Sequence, residues 1–284
     1  MTSVKPKVLT ILELIQKGTE FLLKADITNA KLEIEWFLCD MLNCNRIDLY
    51  VRFDEPLLTS NIEQLRQFLK RRKNREPFQY ILEKAPFYGR DFVVSPAVLI
   101  PRPETELLID ILKNKTGIRS CFEVGTGSGC IAVTALLESE IGECTAIDNS
   151  SAALHIAEQN SKKFNSNNIN FMVMDFLKEI PQGKFDVILS NPPYIMKDEM
   201  KNLEPELSFE PESALTDYND GLSFYRRFAE TAKQLLKKEG IILIEIGDST
   251  NLFEIEKIFS SKNFSIQVHK DLKQIPRVIE VSTC

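Results

Sequence analysis

Residues 120–129 read Ser120-Cys121-Phe122-Glu123-Val124-Gly125-Thr126-Gly127-Ser128-Gly129. An apolar, strand-like run ends at Val124, three alternating glycines follow, and an apolar helical run opens at Cys130. Glycines here let the chain turn tightly and let a ligand approach the backbone. The helix behind the loop offers its unpaired N–H groups to that ligand. Such a unit reads as a nucleotide-type cofactor site in an α/β sheet. A dehydrogenase fingerprint, G-x-G-x-x-G, would need its third glycine at position 130, which is Cys130.

Outward from that loop, strands and helices alternate. Strand-like runs fall at 120–124, 143–148, 169–173, 184–190 and 240–246, with helical runs at 130–139, 151–164 and 221–238. This alternation predicts a doubly wound α/β domain with a mostly parallel sheet. A helix over 249–261 and strands over 264–269 and 277–283 follow. Upstream, residues 86–99 predict a hairpin around a Gly89-Arg90-Asp91 turn, and Pro101, Pro103 and Glu104 mark the start of a helix reaching about Lys115. The first third reads as helix. Thr10 and Glu13 have capping-box spacing ahead of Ile11, Leu14, Ile15 and Leu22. Ile34, Phe37, Leu38 and Met41 mark a second helix beside Trp36, and Ser60 and Glu63 open a third with Ile62, Leu65 and Leu69. The expected organisation is a helical domain over 1–84, a hairpin linker over 85–100 and the α/β domain over 101–284.

With 284 residues, 43% hydrophobic and 27% charged, the chain has an ordinary globular balance. It has no apolar run near the roughly 18 residues that a membrane span needs. The start, Met1 to Thr10, carries no signal-peptide hydrophobic block, so a cytoplasmic location is expected. The net charge of −6 lacks the broad basic footprint of nucleic-acid binders, and no stable nucleic-acid binding is expected. The one basic cluster, Lys70 to Arg75, reads first as a solvated helix end complementing the macrodipole, and second as a contact for RNA or an acidic partner. Six cysteines without a C-x-x-C pair, and only two histidines, argue against a four-ligand metal site and against histidine-based triads. All six cysteines are read as free thiols, no metal is expected, and the chain is expected to be a monomer.

Three further positions carry chemistry. Asp148 ends the strand after the glycine loop, at about the 20-residue spacing where an acid accepts both ribose hydroxyls. It could instead cap the helix at Ser150. Asp175 can accept from an adenine amino group, and Phe176 can lie against the ring or simply pack in the core. Asn191-Pro192-Pro193-Tyr194 follows the run Lys184 to Ser190, at the carboxyl end of a strand and beside the cofactor crevice. Two prolines stiffen that loop before substrate arrives. The chemistry that needs it is methylation of a planar NH₂ group, whose delocalised lone pair makes a poor nucleophile. The Asn191 side-chain oxygen and the Pro192 carbonyl each accept one N–H, and Tyr194 offers a stacking face. Positioning and preorganised dipoles would then supply the rate without a strong base.

The E-x-G-x-G-x-G spacing from Glu123 to Gly129 is similar to the S-adenosylmethionine (SAM) loop of Rossmann-like methyltransferases. Over nearly its whole length the chain resembles the HemK-type (PrmC) protein-(glutamine-N5) methyltransferases. The blocks that carry this are Arg75-Glu76-Pro77, Tyr80-Ile81-Leu82, Leu99 to Glu106, the loop 123–129, Ser190 to Ile195, Asp220-Gly221-Leu222, Phe224-Tyr225-Arg226 and Glu245-Ile246-Gly247. Two stretches depart from the family pattern, Lys237 to Gly240 and Asp271 to Arg277.

The resemblance implies a class I SAM-dependent methyltransferase domain with a small helical N-terminal domain. It implies methyl transfer from SAM, leaving S-adenosylhomocysteine, to the side-chain amide of the glutamine in the Gly-Gly-Gln motif of peptide chain release factors. It places SAM on Gly125, Thr126, Gly127, Ser128, Gly129, Asp148, Phe176 and Asn191, with Glu123 and Asp175 as reasoned additions. It places the glutamine on Asn191, Pro192, Pro193 and Tyr194, and gives the helical domain a grip on the release factor. Arg102 and Glu104 shape a cofactor lid or start a helix. The competing readings are an amino-methyltransferase acting on adenine or cytosine in nucleic acid, glutamine methylation of a ribosomal protein, and a non-catalytic SAM- or NAD-binding module.

Overall fold

The structure, a computed structural model, describes residues 9–247 and 252–283. The chain divides into two compact units, Met1–Leu82 and Glu83–Cys284.

The first unit is helical: α1 (Ile11–Leu23), α2 (Ala30–Leu42), α3 (Arg46–Val51), α4 (Thr59–Lys73) and α5 (Phe78–Leu82). The expected capping box opens α1, with the Thr10 N–H donating to Glu13 Oε2 at 3.1 Å and the Glu13 N–H donating to Thr10 Oγ1 at 3.3 Å. One core cluster joins Ile11, Leu14 and Leu22 to Ile34, Leu38, Leu65 and Phe68. Helix α3 was not legible by periodicity because six residues show too little of a period, but Asn45 and Asp48 form its reciprocal cap. Helix α4 starts at Thr59 without a side-chain cap, so Ser60 and Glu63 do not serve as its capping box.

The basic cluster at the end of α4 is largely engaged within its own unit. Arg72 is buried, and its Nε donates to Glu33 Oε2 at 2.7 Å. Arg71 Nε donates to Glu76 at 2.8 Å, and Arg75 Nη1 donates to the Asp26 carbonyl at 3.0 Å.

The second unit begins with a hairpin of β1 (Lys84–Phe87) and β2 (Arg90–Val93). Its two-residue turn is Tyr88-Gly89, with φ of 49° and 73°, one residue earlier than the expected turn. Positive φ at both positions is what matches a tight turn to the strand twist. Phe87 and Phe92 pack into one cluster with Leu108, Cys121 and Val133, so the hairpin belongs to the core of this unit. Then follow α6 (Glu106–Lys113), β3 (Ser120–Val124), α7 (Cys130–Glu138), β4 (Glu143–Asp148), α8 (Ser151–Lys163), β5 (Ile169–Val173) and β6 (Phe185–Ser190). The unit closes with α9 (Glu212–Leu215), α10 (Ser223–Leu235), β7 (Leu236–Glu245), α11 (Leu252–Ser260), β8 (Phe264–Lys270) and β9 (Pro276–Thr283). Residues 248–251, at the start of the helix expected over 249–261, and Cys284 lie outside the described residues.

The seven strands are ordered β5-β4-β3-β6-β7-β9-β8; β9 pairs antiparallel with both β7 and β8, and the other adjacent pairs are parallel. All five residues of β3 are buried, as the centre of a parallel sheet covered on both faces requires. Phe122, Ile188 and Ile244 face one apolar layer with Phe228 and Phe259, while Cys121, Leu189 and Leu243 face the other with Ile109 and Val133. The chain leaves β3 toward β4 on one side and returns as β6 on the other, so the switch point lies between β3 and β6. The Ser190 hydroxyl donates to the Val124 carbonyl at 2.9 Å and ties their carboxyl ends together. Ligands bind in the crevice outside such a switch point. Both candidate loops start there.

Cys39, Cys44, Cys121, Cys130 and Cys144 are free thiols. Among the described residues, no helix is long and apolar enough to cross a membrane.

Candidate active site

The glycine loop is built mostly from its own backbone. Gly125, Gly127 and Gly129 have φ of 74°, 53° and 78°, the left-handed region that L side chains rarely adopt. The N–H groups of Gly125 and Thr126 both donate to the Ile147 carbonyl, at 2.9 and 3.0 Å, folding the loop over the end of β4. Asp148 completes the tie, with Oδ2 accepting from the Gly127 N–H and Oδ1 from the Ser150 N–H, each at 2.9 Å. Burial pushes the Asp148 carboxyl above its ordinary range, against the pull of those backbone N–H groups. The helix-cap and ribose readings of Asp148 are compatible, because each carboxylate oxygen has a lone pair to spare.

A Cβ built on Gly125 or Gly127 meets nothing within 4 Å. Both glycines look into an open cavity, and that cradle fits a ligand that must approach the backbone. Gly129 differs, since its Cβ would lie 3.1 Å from Ala157 on α8. Its freedom from a side chain serves helix packing.

The cavity brings together most of the residues singled out in the sequence. Gly125, Thr126, Gly127, Ser128 and Asp148 form one rim, Asp175 and Phe176 line the cavity next to them, and Asn191, Pro192 and Pro193 form the other rim. Phe176 is also a core residue, only 2% exposed, with its ring 4.7 Å from that of Phe228. Glu123, Gly129 and Tyr194 stand outside the lining. Glu123 is fully buried beneath the loop, where the Thr126 hydroxyl donates to it at 2.6 Å. Burial pushes its carboxyl up to about 8. The Tyr194 ring packs on Gly247, where a Cβ would run into it, and its backbone carbonyl lies against Gly221. Burial, reinforced by Glu245 and opposed by Arg102 and Arg277, pushes the Tyr194 phenol up to about 12.

Asn191 is held from outside its own loop. Its Nδ2 donates to Thr105 Oγ1 at 3.1 Å, so the amide nitrogen is engaged and Oδ1 is the group left for a ligand. Arg102 donates to Glu210 Oε1 at 2.6 Å, and the Ile100 N–H donates to Glu210 Oε2 at 3.0 Å. These contacts join two segments that both reach the cavity, through Arg102 and Pro211. Thr105, Glu210 and Glu245 had no assigned role in the sequence, because what they do depends on partners far along the chain.

Comparison with known proteins gives the family. Residues 13–82 match the PrmC N-terminal domain and residues 103–216 match the methyltransferase small domain. A release factor glutamine methyltransferase from Geobacter sulfurreducens is 35% identical over 86% of this chain and 86% of its own. The chain belongs to the release factor glutamine methyltransferase family. A second release factor glutamine methyltransferase, from Koribacter versatilis, is 37% identical over 95% of this chain and 98% of its own. The crystal structure of a methyltransferase from Pyrococcus furiosus, 18% identical, covers 79% of this chain and 98% of its own with a TM-score of 0.54, a likeness of fold. As a member of this family the chain is a methyltransferase.

Proposed function

We propose that the protein methylates the side-chain amide nitrogen of the glutamine in the Gly-Gly-Gln motif of peptide chain release factors, using SAM. The observation that carries this reading is Asn191, whose nitrogen is engaged by Thr105 and whose oxygen remains for an N–H donor in the same cavity as the glycine cradle. When bound, SAM supplies an electrophilic methyl on a sulfonium and leaves as S-adenosylhomocysteine. Gly125 and Gly127 give its amino-acid end close access to backbone, Asp148 accepts from the ribose hydroxyls, and Asp175 with Phe176 receives the adenine. Gly129 and Glu123 support that cradle from behind.

On the acceptor side, Asn191 Oδ1 and the Pro192 carbonyl accept the two amide N–H groups and aim the nitrogen lone pair at the methyl. With the lone pair so aimed, the methyl would pass from sulfur to nitrogen as the C–S pair stayed with sulfur, and the surplus proton on nitrogen would be released to water. Pro193 keeps the loop rigid, and Tyr194 backs the planar amide. Because the reaction disperses charge, orientation in a tight site contributes more than a general base would.

The helical unit is proposed to grip the release factor. Ile47, Tyr50, Val51 and Phe53 on and just beyond α3 are exposed apolar side chains suited to a protein partner. The nucleic-acid reading loses its best support, because Arg71, Arg72 and Arg75 are engaged within their own unit. The enzyme is proposed to act in the cytoplasm, where its substrate works.

The test is methyl transfer from labelled SAM to release factors of the same organism, with the modified residue located by mass spectrometry. Label is expected on the Gly-Gly-Gln glutamine. Asn191→Ala is expected to lower the rate by about 10²–10³-fold, the scale of losing one preorganised polar contact, while SAM still binds. Label found instead on ribosomal protein or nucleic acid would overturn the substrate.

A further inference from the structure

The glycine loop fixes its own shape through its backbone bonds, but those bonds do not set where it stands relative to the other walls of the cavity. One of these walls is the segment just beyond β2, where Ala97, Val98 and Leu99 line the cavity. The Asn160 side chain, on α8, joins the hairpin to the loop. It is fully buried and stands outside the cavity lining. Its Oδ1 accepts from the Val93 N–H at 2.7 Å, and its Nδ2 donates to the Val93 carbonyl and to the Ser128 carbonyl at 2.9 Å each. One N–H facing the oxygen and two carbonyls facing the nitrogen leave the amide a single orientation, with both its protons used.

Helix α8 is also seated on the hairpin by other contacts. Lys163 Nζ donates to the Asp91 carbonyl at 2.6 Å, and the Phe164 ring lies 4.8 Å from that of Phe92. Of these side chains, Asn160 alone reaches on to the glycine loop. A buried amide costs more to desolvate than an apolar side chain of the same size, so its place calls for a reason beyond packing.

We propose that Asn160 is a positioning residue for the methyl donor, a buried clamp that sets the glycine loop against the segment following β2 and so fixes the width of the cavity. This rests on the reading of that cavity as the SAM site. The clamp acts through the peptide between Ser128 and Gly129. A trans peptide is planar, and its C=O and N–H point opposite ways. The Ser128 carbonyl is held by Asn160, and the Gly129 N–H donates to the Thr126 carbonyl at 2.7 Å, so one plane is fixed at both ends. Without Asn160 that plane is free to turn, and the surface that meets the amino-acid end of SAM changes. Sites that bind in one geometry need such support behind the groups that touch the ligand.

The decisive experiment compares wild type, Asn160→Asp, Asn160→Ala and Phe259→Leu. Asn160→Asp keeps the size and the acceptor for Val93, but in its ionised form has no proton for either carbonyl. Phe259, buried against Phe264 beside α11, serves as a control that lowers stability away from the loop. Calorimetry is expected to show SAM affinity lower by about tenfold in both Asn160 variants, the scale of one lost hydrogen bond, with kcat at saturating SAM little changed. Without SAM, hydrogen exchange at the Gly129 amide is expected to be faster in both by a similar factor. Phe259→Leu is expected to move neither quantity.

Wild-type SAM affinity in a folded Asn160 variant, unchanged exchange at Gly129, or an equal loss of affinity in Phe259→Leu would overturn the clamp. If wild type itself binds no SAM, the reading of the cavity has failed, and the exchange at Gly129 still judges the clamp. If neither Asn160 variant folds, NMR of the wild-type Asn160 side-chain amide decides. Its two protons are expected to be protected from solvent and to shift when SAM is added, and an amide that is exposed or unresponsive overturns the proposal.

Discussion

The two rims of the cavity are built in opposite ways. The rim behind β3 holds itself in shape through short-range backbone contacts, with left-handed glycines and N–H groups closing onto the adjoining strand. The rim behind β6 is held by residues from remote parts of the chain, with Thr105 on Asn191 and with Gly221 and Gly247 making room for Tyr194. A methyl donor of constant shape can be served by a stiff local loop. An acceptor that arrives on another protein needs polar groups oriented in advance, and that orientation is drawn from several elements at once. Substitutions in the first rim should therefore act on donor affinity, and those in the second on turnover.

The largest expected effect that tests this division lies in the first rim. Gly127 combines φ of 53° with an open face toward the cavity. Gly127→Val adds a branched side chain in a conformation that costs roughly 1–2 kcal/mol, and it fills space the donor would occupy. SAM affinity is expected to fall by about 100-fold, near 2.7 kcal/mol at 1.36 kcal/mol per tenfold, with kcat at saturating SAM much less affected. Calorimetric binding with steady-state kinetics would check it. A variant that keeps SAM affinity but loses kcat would break the comparison.

Gly247→Ala probes the second rim and should be milder. Gly247 lacks a positive φ, so the substitution acts through one added methyl that runs into the Tyr194 ring. Overpacking of this kind costs about 1–3 kcal/mol when the neighbour cannot move freely. With Tyr194 displaced, kcat is expected to fall about tenfold while SAM affinity holds, since 1.4 kcal/mol of lost positioning is one decade in rate. Equal loss of SAM affinity would mean that the rims are mechanically one.

The same contrast explains what could be read without coordinates. The Gly125–Gly127 cradle and the strand-end Asp148 were legible because their geometry is encoded within a few residues of a strand–loop–helix pattern. Asn191-Pro192-Pro193 was legible as a motif. Its orientation was not, because Thr105 lies 86 positions away in sequence. Helix α3 is too short to show a period, and a cation in a basic run such as Arg72 gives no sign in sequence that it pairs with Glu33 in the interior. The hairpin turn moved by one residue because Tyr88 accepts a φ of 49° that its side chain gave no reason to expect.

Gly129 offers the smallest effect and the sharpest test of the first rim, because it shares the loop and the left-handed φ of Gly127 but not its outlook. A Cβ there would press to 3.1 Å on both Cα and Cβ of Ala157, a few tenths of an ångström tighter than ordinary contact. The neighbour is helix backbone and cannot rotate away. Gly129→Ala should therefore destabilise the α/β unit by about 1–2 kcal/mol, mainly the left-handed cost. Enzyme that remains folded should bind SAM as wild type does. Chemical denaturation read against SAM binding separates the two quantities. If Gly129→Ala instead weakens SAM binding at unchanged stability, the third glycine belongs to the cradle, and the line between cavity-facing and packing-facing glycines in this loop must be redrawn.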